Sequence, residues 1–134
     1  MSRRRGPRYL IVGEDRFLWS CRHLHERVDS AGAPPTYLDC REVVTIRRDG
    51  SRGLVDVVFR GGEDRAVGNG LLHVGAVWRG DGRMLNLNEP GVVRALLDEA
   101  SAGGWQAGDP GRVQIDGWAL FDAVVARRSE PTAG

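Results

Sequence analysis

The sequence predicts a single α+β domain: a mostly antiparallel sheet of about five to seven strands with two C-terminal helices packed on one face. Three observations predict it. Before residue 88 the chain carries short runs rich in Val, Ile, Thr and Phe in which apolar and polar residues alternate. Gly, Asp and Ser separate those runs at hairpin spacing. After residue 88 two apolar stripes repeat with the helical period. Strands first and helices last is the order of an antiparallel sheet with its helices gathered on one side. A length of 134 residues fits one domain and buries a core without disulfides.

Taken in order, residues 1–8 read as a flexible basic arm. Tyr9 to Val12 is a short strand and Gly13 to Asp15 a turn. Arg16 to Glu26 returns as a second strand, with Phe17, Trp19, Cys21, His23 and His25 on one face because side chains alternate. Asp29 to Pro35 is a loop by composition and the candidate mobile segment. Arg41 to Arg48 and Leu54 to Arg60 are the clearest strands, joined by Asp49-Gly50 in a hairpin. After the turn at residues 61–64, Ala66-Val67 is expected to return beside Val58. Leu71 to Trp78 and Arg83 to Leu87 are further strands around a turn at Arg79 to Gly82. The first helix spans Glu89 to Ala102, with Asn88 as its expected N-cap, Pro90 in its first turn and Gly103-Gly104 at its end. Arg112 to Ile115 is a last strand. Asp116 caps a second helix, Gly117 to Arg128, striped by Trp118, Phe121, Val124 and Val125. Residues 129–134 read as a disordered tail, so the domain proper is 9–128.

Charge and composition exclude several classes. The net charge of +1 provides no global field for a nucleic acid or a membrane surface. All 19 basic residues are Arg, which points to a GC-rich bacterial gene and removes every lysine-based chemistry, from the Schiff base to the P-loop. Two cysteines make no secreted disulfide framework, and the apolar run at Tyr9 is too short for a signal-peptide core. No stretch reaches the ~20 apolar residues of a membrane span. The cytoplasm is the expected compartment, with both thiols reduced.

The densest group of reactive side chains is Cys21-Arg22-His23-Leu24-His25. Alternate strand residues stand ~6.5–7 Å apart, so Cys21, His23 and His25 form a candidate metal site, with Cys40, Glu42 or His73 as a further ligand. The competing reading makes Cys21 a small core residue and leaves the two histidines where the strand runs out to solvent. The His-x-His pair resembles the metal motif of cupin barrels. It departs from that pattern at Phe17, where a Gly is expected, and at Asp29-Ser30, where a Glu is expected. A cysteine nucleophile with His73 as base lacks any supporting sequence context. The paired carboxylates Glu14-Asp15, Glu63-Asp64 and Asp98-Glu99 fall in turns or on a polar helix face and read as solvated surface. Arg79-Gly-Asp81 resembles an integrin ligand and reads as a tight turn. The arm at Arg3, Arg4, Arg5 and Arg8 is the one local positive cluster, without the basic stripe and aromatics a nucleic-acid surface adds. Trp19, Trp105 and Trp118 belong to the core. Trp78 with Arg79 is the candidate interaction site, against the alternative that Trp78 closes the end of the core.

From Val92 through Gly104-Trp105 to Ile115, an amphipathic helix ending in Gly-Trp is followed by a Pro/Gly loop and a strand. This segment, under a fifth of the chain, resembles a pattern found in many small bacterial α+β proteins of unassigned function. The resemblance implies the helix–loop–strand arrangement and no activity.

No catalytic residue and no cofactor is expected. The first functional expectation is a non-enzymatic accessory module, immunity-like or regulatory, that binds a protein partner or itself. A small-molecule binder or small enzyme, with a pocket under residues 29–37, and a metal protein built on Cys21, His23 and His25 are the alternatives. On Leu54 to Arg60, the half-polar set Leu54, Asp56, Val58 and Arg60 predicts a second sheet face that meets water or pairs in a dimer.

Overall fold

The computed structural model describes residues 7–68 and 75–129. Four strands run as an antiparallel meander: β1 (Arg8–Val12), β2 (Asp15–Val28), β3 (Thr36–Arg48) and β4 (Leu54–Arg60). Three short strands, β5 (Arg65–Val67), β6 (Ala76–Arg79) and β7 (Met84–Asn86), form a second antiparallel sheet. Then come helix α1 (Pro90–Ala102), strand β8 (Arg112–Asp116) and helix α2 (Trp118–Ser129). β8 joins the edge of the meander parallel to β4, giving the order β1-β2-β3-β4-β8. The α+β class and the mostly antiparallel sheet stand. The parallel pair arises because α1 carries the chain back along the sheet, so β8 starts level with the start of β4.

One face of the five-stranded sheet holds the core. Trp19, Val44, Ile46, Val57 and Phe59 lie against Val93, Leu96 and Phe121 of the helices and Val77, Leu85 and Leu87 from the small sheet region. The residues named are at most 2% exposed, apart from Leu85 at 4%. Phe59 meets the Trp118 ring edge-on at 5.2 Å, and Trp118 Nε1–H donates to the Arg60 carbonyl at 2.8 Å, fastening α2 to the end of β4. The loop before β8 crosses the start of β4 so closely that a Cβ on Gly53 would lie 1.8 Å from the Asp109 carbonyl oxygen. Trp105 folds back on the core after the α1 stop, its N–H donating to the Ala100 carbonyl at 3.0 Å.

Several boundaries differ from expectation. Arg8 belongs to β1, not to the arm: its guanidinium donates to the Asn88 carbonyl at 2.6 Å and stacks 4.0 Å over Trp19. Ser129 closes α2 rather than starting the tail. Ala66-Val67 pairs with Trp78 and Val77 rather than with Val58, because β8 already occupies the free edge of β4. Asn88 does not cap α1. Its amide sits against Gly75, where a Cβ would approach Nδ2 to 2.2 Å, and the helix begins after Glu89, whose carbonyl receives the Val92 and Val93 N–H groups. Asp116 does serve α2, accepting the Trp118 N–H at 3.1 Å. His73, the first part of the expected strand at 71–78, Arg3 to Arg5 and residues 130–134 lie outside the described residues. Among those described, no helix is long and apolar enough to cross a membrane.

Candidate functional site

The core face of the β2–β3 ribbon changes character along its length. At one end Trp19 stands opposite Ile46, and next Cys21 stands opposite Val44. Two residues on, His23 stands opposite Glu42. Beyond that the register slips between Leu24 and Glu26, and Asp39 takes a left-handed backbone at φ 53°. The bulge tightens the ribbon at its tip. Just before this slip, His23, His25 and Cys40 offer one donor atom each, all within 4.8 Å of one another.

Glu42 is the hub behind this group, and it is completely buried. His23 Nδ1 lies 2.8 Å from Glu42 Oε1, and the Cys21 thiol points at Oε2 from 3.8 Å. The Gly75 backbone N–H also donates to the carboxylate. Burial pushes the Glu42 carboxyl above the usual carboxylate range, with His23 pulling in the other direction. Burial, then the Glu42 charge, pushes the Cys21 thiol up to about 12. Cys21 therefore stays a neutral thiol at neutral pH, unsuited to nucleophilic attack.

Of the residues singled out from sequence, His23 and His25 come together as expected. Their rings are 5.4 Å apart, and the Tyr37 ring meets His25 edge-on at 4.5 Å. The third donor near them is Cys40 from β3, while the Cys21 thiol is turned to Glu42. Trp78 and Arg79 are half-buried in β6. Arg79 reaches Asp64 at 3.4 Å and lies 6.0 Å over the Trp118 ring. A cleft of about 400 Å³ opens not under residues 29–37 but beside the α1 stop, lined by Ala100, Trp105, Pro110, Val113, Ile115 and Leu120 among others.

Among the described residues, no helix of the core lies on the opposite face of the sheet. Register places Arg16, Arg22, Arg41, Arg47, Arg60 and Arg112 on it, with Asp56 and Asp116 as its carboxylates and Tyr9 and Ile11 at the β1 edge. Tyr9 is 59% and Ile11 63% exposed. Asp39 holds Arg60 at 2.7 Å and Arg41 at 3.1 Å, Asp49 holds Arg16, and Asp56 holds Arg112 while accepting the Thr45 hydroxyl at 2.6 Å. Arg22 and Arg47 are exposed and make no salt bridge among the described residues, though the Arg22 charge helps hold Asp56 ionised. The single-strand reading of Leu54 to Arg60 foresaw the polar share of this face but not its burial, since Asp56 and Val58 are 7% and 6% exposed. Its arginine excess emerges only when five strands are set side by side.

No protein-family model, no curated protein and no solved structure matches the chain.

Proposed function

We propose that the protein is a non-enzymatic accessory module whose uncovered sheet face docks an acidic surface of a partner protein. The observation that carries this reading is the arginine surplus on that face: six arginines, four of them held by Asp39, Asp49 and Asp56, with exposed Arg22 and Arg47 in no salt bridge among the described residues and Arg22 acting on Asp56 only through its charge. Guanidinium groups on a rigid sheet present planar donors that match carboxylates two at a time. Such complementarity steers association and selects partners.

Self-association through the same face, the other expectation, brings two arginine-rich surfaces together and is repulsive unless anions intervene. A nucleic acid is also a poorer occupant. The aromatic on the face, Tyr9, is already stacked by Arg16 at 4.7 Å, and four of the arginines are neutralised by aspartates.

The test is charge reversal. A partner retained by the wild-type protein from cell extract, then purified and titrated back, binds at least about tenfold more weakly to the Arg22→Glu/Arg47→Glu variant and weakens with added salt. Unchanged affinity of that partner for the variant sinks the reading. So does retention of nucleic acid alone, of a second copy of this chain alone, or of nothing.

A further inference from the structure

We propose that His23, His25 and Cys40 bind a zinc ion at the tip of the β2–β3 ribbon, with Glu42 as the carboxylate that orients His23. The proposal is independent of the arginine face and uses the opposite side of the sheet. Two imidazoles and a thiolate are a donor set suited to Zn²⁺.

Geometry supplies the first argument. With Zn–N near 2.0–2.1 Å and Zn–S near 2.3 Å, donors around a tetrahedral ion stand about 3.3–3.7 Å apart. The three donors here already lie within 4.8 Å of one another, so side-chain rotations of about an ångström close the site. Cys40 and His25 are fifteen residues apart in sequence, and the ribbon register that sets His23 against Glu42 and Leu24 against Arg41 brings His25 beside Cys40.

The second argument is the carboxylate behind the histidine. His23 Nδ1 lies 2.8 Å from Glu42 Oε1, so that nitrogen is engaged by the carboxyl group and Nε2 is the ring nitrogen free to turn to a ligand. Metal-bound histidines almost always have such a partner, which fixes both tautomer and ring orientation. Glu42 is completely buried, an unfavourable place for a charge unless it has a task, and His23 is held against it with its side chain 8% exposed. His25 is exposed and Cys40 half-buried, which gives the ion a path in from solvent.

Three protein ligands leave one tetrahedral position for water or another small ligand. Binding converts the Cys40 thiol to the thiolate with release of its proton, while both imidazoles bind neutral. The ion then ties β2 to β3 beside the slip between Leu24 and Glu26, next to the loop at 29–35.

The experiment titrates chelator-treated, folded protein with Zn²⁺ against a competing chelator, and with Co²⁺ as the spectroscopic probe. One ion per chain is expected, with tetrahedral Co²⁺ bands and a sulfur-to-cobalt charge-transfer band. Cys40→Ser removes that band. His25→Ala, at an exposed position that folding tolerates, weakens Zn²⁺ by on the order of a hundredfold. Glu42→Gln weakens it about 10–100-fold. Cys21→Ser leaves affinity within about twofold, because its thiol is outside the donor set. Hydrogen exchange at residues 24–28 and 36–40 slows on adding Zn²⁺. Folded wild-type protein that binds no more tightly than about 0.1 mM overturns the proposal. So does a Co²⁺–sulfur band that survives Cys40→Ser and vanishes in Cys21→Ser.

Discussion

Glu42 and Asp56 are the buried charged residues among those described, and they sit on opposite faces of one sheet. Glu42 shares its pocket with a histidine, a thiol and a backbone N–H, with no guanidinium bonded to it, and its carboxyl is raised. Burial works against the Asp56 carboxylate too. There Arg112, reaching across from β8, and the Thr45 hydroxyl outweigh it and hold the group below the usual range. The same physics thus gives opposite outcomes: desolvation sets the sign where the partner is a neutral or weakly basic group, and a permanent cation reverses it. The covered face stores a carboxylate at some cost, whereas the arginine-rich face stabilises one.

The apolar neighbours of these acids sharpen the contrast most. Val44 and Val43 are adjacent on β3, 0% and 4% exposed, and face the core and the arginine side respectively. Val44 belongs to the core cluster, packed between layers that cannot close in. Val44→Ala is expected to cost about 2–3 kcal/mol in denaturant unfolding. Val43→Ala is expected to cost about 1 kcal/mol, since arginine stems and water can refill the space. Equal losses would mean that the second face is packed like the first.

Neutralising each acid comes next in size. Asp56→Asn removes the charge from a partly exposed pair and should destabilise by about 1 kcal/mol at neutral pH. Glu42→Gln keeps an acceptor for the His23 and Gly75 N–H groups while relieving the buried charge, and should change stability by less than about 0.5 kcal/mol in the metal-free protein. The reverse ordering in urea titrations breaks the comparison.

Much of this arrangement was readable from the chain, and the exceptions have specific causes. Leu54–Arg60 matches its expected limits because β-branched alternation and the Asp49-Gly50 turn act locally. The α2 stripe of Trp118, Phe121 and Val124 is buried as its spacing required. The parallel direction of β8 was not legible: Arg112–Asp116 has the same alternation in either direction, and tertiary packing of α1 decides. His23 and His25 were identifiable by the alternation of a strand. Cys40 was legible only as one further ligand among several; that it, rather than Cys21, joins the histidines rests on the β2–β3 register and on the Cys21 thiol being turned to Glu42. The arginine face was visible only as a half-polar strand, since its charge is collected from strands far apart in sequence.

The smallest effect is in acid, and its sign follows from the direction of the Asp56 shift. An unfolded aspartate titrates near pH 3.9. Asp56 lies lower in the folded protein, so the folded state holds its carboxylate ionised where the unfolded chain has begun to take up protons. The contribution is therefore fully present above about pH 4 and is lost as the pH falls through the folded value. Asp39 and Asp81 are lowered as well, Asp39 chiefly by the Arg60 hydrogen bond and Asp81 by the Arg83 backbone N–H, so wild-type acid lability alone does not isolate Asp56. The difference between wild type and Asp56→Asn removes those shared parts. In urea unfolding that gap should be flat from about pH 7 to 5, at roughly 1 kcal/mol, and should shrink steadily below about pH 4. A gap that instead widened in acid would mean that Asp56 is held protonated, and the two buried carboxylates would then obey one rule rather than two.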